Sequence, residues 1–133
     1  MSQRINAGIT GVGMYFPEKV LTNADLERMV ETDDKWIVER TGIRERHIAE
    51  PKTPASDLAA PAARQALEMA GVDPMDVECI IVPTVTPDMI FPATSCLLQE
   101  KIGAKNAWAF DLLGACSGYV YSLALAESLI RSG

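Results

Sequence analysis

The sequence is poor in the residues that build metal centres and disulfide frameworks. Histidine occurs once, at His47, which excludes a metal site built on several imidazoles of this chain. Cysteine occurs only at Cys79, Cys96 and Cys116. An odd number at wide spacing fits neither paired zinc ligands nor a disulfide scaffold, so these read as free thiols in a reducing compartment. Basic charge is scarce as well: 12 Lys and Arg against 18 Asp and Glu leave a net charge of −6. A nucleic-acid binder would carry the opposite excess or a clustered basic stripe. No run approaches the length of a membrane span, and residues 1–7 hold no apolar stretch behind basic residues. The expectation is a cytoplasmic protein whose partners are small molecules or other proteins, with no nucleic acid and no membrane among them.

What the sequence does have is apolar mass: 48 % of 133 residues is hydrophobic, enough for one domain with a sizeable core. Residues 7–16 mix β-branched, small and aromatic side chains and stop at Pro17, predicting a strand. Thr22 caps a short helix running to about Val30, and Thr32 or Asp33 caps a second over 33–40 that stops at Gly42. Residues 43–48 read as a surface strand, with Arg44, Glu45 and Arg46 solvated and charge-paired. The alanine-rich stretch 54–70, closed by Gly71, predicts a helix packed closely on a sheet. Residues 79–85 predict a strand buried on both faces, 92–102 a helix stopped by Gly103, and 108–112 another strand. The last segment, 117–131, predicts a long helix whose only charges are Glu127 and Arg131, and which must therefore be largely buried. Strands alternating with helices of this length give an α/β fold with a mostly parallel sheet.

Chemistry concentrates at Gly114-Ala115-Cys116-Ser117-Gly118, where an apolar strand passes through small residues into a helix. The first turn of a helix offers unpaired N–H groups and the positive end of its dipole, both of which favour a thiolate. Small neighbours leave room for an acyl group and let backbone approach it. A free cysteine is more often simply a small packed hydrophobe. Cys79, in a strand, and Cys96, beside Leu97 and Leu98, keep that reading; Cys116 alone has both readings open. Trp36 and Arg40, four apart on a helix, share a face and could grip a nucleotide, or Trp36 could anchor its helix while Arg40 pairs with an acid. His47 reads as a surface residue.

The stretch from Thr22 to Leu26, the block from Asp34 to Arg46 containing Thr41-Gly42-Ile43-Arg44-Glu45-Arg46, and the cysteine segment ending at Gly118 together resemble β-ketoacyl-acyl-carrier-protein synthase III of the thiolase superfamily. The resemblance implies a thiolase-like fold, of which residues 1–133 would form an incomplete N-terminal portion of a five-layered αβαβα arrangement. It implies an acyltransferase that initiates fatty-acid synthesis, taking an acyl group from acyl-coenzyme A and condensing it with malonyl-acyl carrier protein. Cys116 then corresponds to the nucleophile, with its own N–H in the oxyanion hole. Thr32, Trp36 and Arg40 correspond to coenzyme A contacts, and Phe91 to a side chain lining the partner's acyl pocket across a homodimer. Coenzyme A enters as a thioester substrate, and no permanently bound cofactor or metal is implied. The family's catalytic His and Asn have no counterpart here, so the chain alone is expected to be inactive and not a stable monomer, with half the cover of its last helix supplied from outside it. The alternatives are another acyl-coenzyme A condensing enzyme, such as a hydroxymethylglutaryl-coenzyme A synthase or a starter-unit ketosynthase, and a non-catalytic module of the same fold.

Overall fold

The computed structural model describes residues 6–133, so the reading of residues 1–7 falls almost wholly outside the described residues. The chain forms two compact units, Phe16–Thr53 on the one hand and the residues up to Tyr15 with Pro54–Gly133 on the other.

In the Phe16–Thr53 unit, β1 (Val20–Thr22) leads directly into α1 (Asn23–Glu27), followed by α2 (Asp34–Thr41) and β2 (Glu45–His47). The two strands pair antiparallel, Leu21 opposite Arg46. Thr22 both ends β1 and caps α1. Its hydroxyl accepts the Asp25 N–H at 3.2 Å, and the Asp25 carboxylate accepts the Thr22 N–H at 3.0 Å, a reciprocal capping box. Helix α1 stops at Glu27, short of the expected Val30, because Met29 and Val30 are exposed and gain no packing from continuing it. Helix α2 starts and stops as its residues predict: Asp33 accepts the Trp36 N–H at 2.7 Å, and Gly42 takes the left-handed conformation at φ 73°.

A second expectation fails in this unit. Arg46 is not a solvated, charge-paired residue: it is half-buried and donates to Leu21 O at 3.1 Å and Asn23 Oδ1 at 2.7 Å. Asn23 is 2 % exposed, and its amide nitrogen donates to Asp34 Oδ1 at 2.7 Å and Ile43 O at 2.9 Å. A buried amide must have its polar atoms satisfied, and Arg46 completes that set.

The second unit contains α3 (Ala55–Ala70), β3 (Cys79–Pro83), α4 (Thr94–Ile102), β4 (Trp108–Leu112) and α5 (Gly118–Ser132), with short 3₁₀ turns at Pro74–Asp76 and Ala115–Ser117. Strands β3 and β4 run parallel, Ile81 opposite Phe110, with α4 as the crossover between them. This is the βαβ unit that the alternation predicted. Ala60, Ile80, Leu98, Ile102, Ala104 and Ala107 form the core, with α3 and α4 packed together over β3 and β4. Gly71 and Gly103 terminate α3 and α4 at φ 64° and 79°.

Three expectations are corrected here. Residues 7–16 form no strand, since β3 and β4 pair only with each other among the described residues. The segment lies instead against α3: Met14 N–H donates to Gln65 Oε1 at 2.8 Å, and a Cβ on Gly13 would fall 1.9 Å from Ala62 O. Residues 79–85 are not a strand buried on both faces, because β3 ends at Pro83 and only Ile80 within it is buried. Helix α5 is not largely buried: Gly118 is its one buried residue, while Tyr119, Val120 and Tyr121 are each more than half exposed. Apolar composition records what a helix prefers to cover, and that cover need not come from its own chain. Among the described residues no helix is long and apolar enough to cross a membrane.

Candidate active site

The junction after β4 is built by small residues. Gly118, the first residue of α5, lies where an added Cβ would come 3.0 Å from the Cβ of Pro83, so the start of α5 abuts the C-terminal end of β3. A Cβ on Gly114 would meet the Gly118 Cα at 2.7 Å and a Tyr121 ring carbon at 3.0 Å. Gly114 is thus required by close approach of backbone to backbone, and Gly118 by its close approach to the Pro83 ring. Between them Ala115 adopts φ 44°, a left-handed conformation that costs a non-glycine residue about 1 kcal/mol. Ala115 carries no sequence signal for that conformation, and composition could not have found it.

Cys116 follows in the 3₁₀ turn that precedes α5, and its side chain is exposed. The thiol stands at the C-terminal ends of two parallel strands, the edge on which open α/β sheets place their ligand sites. The other thiols differ. Cys79 is half-buried in β3, and burial pushes it above the ordinary thiol range. Cys96, expected to pack with Leu97 and Leu98, is instead exposed on α4, since its neighbour Leu98 is the residue turned into the core.

Thr32, Trp36 and Arg40 come together in the Phe16–Thr53 unit. The Arg40 guanidinium carbon lies 5.7 Å from the centroid of the Trp36 ring, a cation–π contact. Trp36 is 55 % exposed, so it does not anchor its helix by burial, and none of the ion pairs among the described residues includes Arg40. Thr32, Asp33, Trp36 and Glu31 line a hollow of about 280 Å³. Its two carboxylates were not anticipated. His47 is exposed, with Nδ1 2.5 Å from Pro17 O and its ring beside Phe16, a surface residue as expected. No cluster of His, Cys, Asp or Glu among the described residues could hold a metal ion.

Phe91 belongs to the loop between β3 and α4 and is 87 % exposed beside a fully exposed Ile90. The residues that anchor this loop escaped sequence reasoning. Asp88 accepts the N–H of Ser56 at 3.0 Å, and Asp111 of β4 accepts the N–H groups of Thr94 and Ser95 at 2.9 and 2.8 Å. The residues in each of these pairs are far apart in sequence, and only the fold brings them together.

No family model matches the chain. Curated relatives do. The chain is 54 % identical over 133 residues to the β-ketoacyl-[acyl-carrier-protein] synthase III of Caldanaerobacter subterraneus, which accounts for all of this chain and 40 % of that protein. Against the synthase III of Desulfitobacterium hafniense it is 55 % identical over 129 residues, 97 % of this chain and 39 % of the relative. The crystal structure of 3-oxoacyl-[acyl-carrier-protein] synthase III from Aquifex aeolicus superposes with a TM-score of 0.89 at 48 % identity, covering 94 % of this chain and 40 % of that one. The priming β-ketosynthase of the R1128 polyketide pathway gives 0.92 at 36 % identity over all of this chain and 40 % of its own. The fold is therefore α/β and thiolase-like, and the chain spans about 40 % of the length of the relatives it matches.

Proposed function

We propose that this chain carries the nucleophile and the coenzyme A contacts of a condensing enzyme of the synthase III kind, and that it acts as the incomplete N-terminal part of a longer cytoplasmic homodimer. The observation that supports this most strongly is the exposed Cys116 thiol, seated between two glycines at the mouth of α5.

The proposed reaction begins when the Cys116 thiolate attacks the thioester carbonyl of acyl-coenzyme A. The oxyanion that forms is stabilised by the backbone N–H of Cys116 together with the dipole of α5. Collapse expels the coenzyme A thiolate, which takes up a proton, and leaves an acyl thioester on Cys116. Malonyl-acyl carrier protein then loses carbon dioxide. The electron pair of the broken carbon–carbon bond attacks the acyl carbonyl, a new carbon–carbon bond forms, and the Cys116 thiolate departs. The His and Asn that would stabilise the decarboxylation lie outside this chain, so the 133 residues alone are expected not to condense. Trp36 presents a flat face for the adenine, and Arg40 a charge for the nucleotide phosphates. Thr32 and the carboxylates of Glu31 and Asp33 border the same hollow. Phe91 projects from its loop as a side chain would that lines the acyl pocket of a second protomer.

A starter-unit ketosynthase is the second reading, favoured by the likeness to the priming β-ketosynthase. Product analysis of the complete synthase with malonyl-acyl carrier protein and a series of acyl-coenzyme A starters separates the two. A Cys116→Ala variant that still forms 3-oxoacyl-acyl carrier protein at the wild-type rate would remove Cys116 from the mechanism.

A further inference from the structure

We propose that Asp88 is the positioning residue of the loop between β3 and α4, and that by fixing where Phe91 projects it sets which acyl starters are accepted. The inference rests on the reading of Phe91 as a wall of the acyl pocket of a second protomer and adds a residue that reading does not contain.

From Val85 to Phe91 the loop is largely exposed, with Ile90 at 100 % and Phe91 at 87 %. Side chains so placed make few contacts that could hold their own backbone. Asp88 is the half-buried exception. Its carboxylate accepts the Ser56 N–H at 3.0 Å and, through its other oxygen, the Ser56 hydroxyl. Its own N–H donates to Thr94 Oγ1 at 3.0 Å. Ser56 and Thr94 are fully buried, in the first turns of α3 and α4.

One residue thus ties the loop to two helices at once. The Ser56 N–H is among those a helix leaves unpaired in its first turn, and a carboxylate suits the positive end of the dipole. Lys101 Nζ donates to Ser56 Oγ at 2.5 Å and so orients the hydroxyl towards Asp88. The far anchor is equally fixed, because Asp111 of β4 holds the Thr94 N–H at 2.9 Å. Asp88, Thr94 and Asp111 therefore register the Phe91 loop against the strand that leads to Cys116. A side chain carried by such a clamp keeps one projection; released, it samples several.

The test compares kcat/KM for acyl-coenzyme A starters of increasing chain length in the complete synthase and in its Phe91→Ala, Asp88→Ala and Asp88→Asn variants. Hydrogen exchange is followed on the same proteins. Asp88→Ala is expected to shift the preference between short and longer starters about tenfold, mainly through KM, with faster exchange at residues 84–91 and at the Ser56 amide it caps, and unchanged exchange in α4 and the rest of α3. Asp88→Asn keeps an acceptor oxygen and shifts less. Should Asp88→Ala not fold, Thr94→Val removes the acceptor of the Asp88 N–H and carries the same expectation. A profile moved by Phe91→Ala but not by loss of the clamp overturns the positioning role, as does exchange that rises throughout α3 and α4. If Phe91→Ala itself leaves the profile unmoved, the acyl-pocket reading fails, and this inference with it.

Discussion

The two compact units are stabilised by opposite means. Residues 16–53 bury a single large hydrophobe, Ile37, and centre on Asn23, whose side chain is held by Asp34, Ile43 and Arg46. The other unit closes over an apolar cluster of Ala60, Ile80, Leu98, Ile102, Ala104 and Ala107. A segment as short as the first cannot enclose much apolar volume. It relies on directional bonds that fail together when one partner is lost. The apolar core tolerates change of shape better and loss of volume worse.

The contrast is broken most severely by Leu98→Ala, which leaves a cavity under α4 and should destabilise the protein by about 3 kcal/mol in urea unfolding. A loss below about 1 kcal/mol would mean that the cluster is not the core of its unit. Asn23→Ala comes next. Removing the amide strands the buried end of Arg46 and should cost about 2 kcal/mol, with faster exchange at β1 and β2 as its signature. Equal loosening of β3 and β4 would argue against a network local to residues 16–53.

A smaller effect is expected from acid. The Thr22 hydroxyl and then the Thr22 N–H hold the Asp25 carboxyl below the ordinary carboxylate range, against an opposing effect of burial and with a weaker contribution from Arg28. A depressed folded-state value means that the capping box contributes fully above the unfolded carboxylate range and is lost as pH falls through the folded value. Titration of Asp25 by NMR should show that depression, and Thr22→Val should move the value back up.

The same contrast explains what the sequence disclosed. Helices α2, α3 and α4 were legible because Asp33, Gly42, Gly71 and Gly103 act locally, within a turn of where they stand. Strand β4 and the cysteine junction were legible because apolar and small residues change over abruptly there. Asn23, Asp88 and Asp111 were not, because a polar side chain shows its partner only after the chain has folded. Residues 7–16 misled for a related reason: β-branched residues favour extension, but a strand exists only where a neighbour supplies the ladder. Helix α5 read as largely buried because hydropathy says how much cover a helix prefers and not whose surface provides it; only the resemblance put half of that cover outside the chain. At the candidate site, residue type and spacing left two readings open for Cys116 and for Trp36 with Arg40, and the family resemblance supplied their expected roles; the strained Ala115 and the acids beside Trp36 gave no signal at all.

The central claim concerns one sulfur among three, and peptide mapping by mass spectrometry after incubation of the complete protein with acetyl-coenzyme A addresses it directly. The account predicts an acetyl thioester on the peptide containing Cys116 and none on those containing Cys79 or Cys96. Acetylation of Cys96, the other exposed thiol, with Cys116 unmodified, would contradict it.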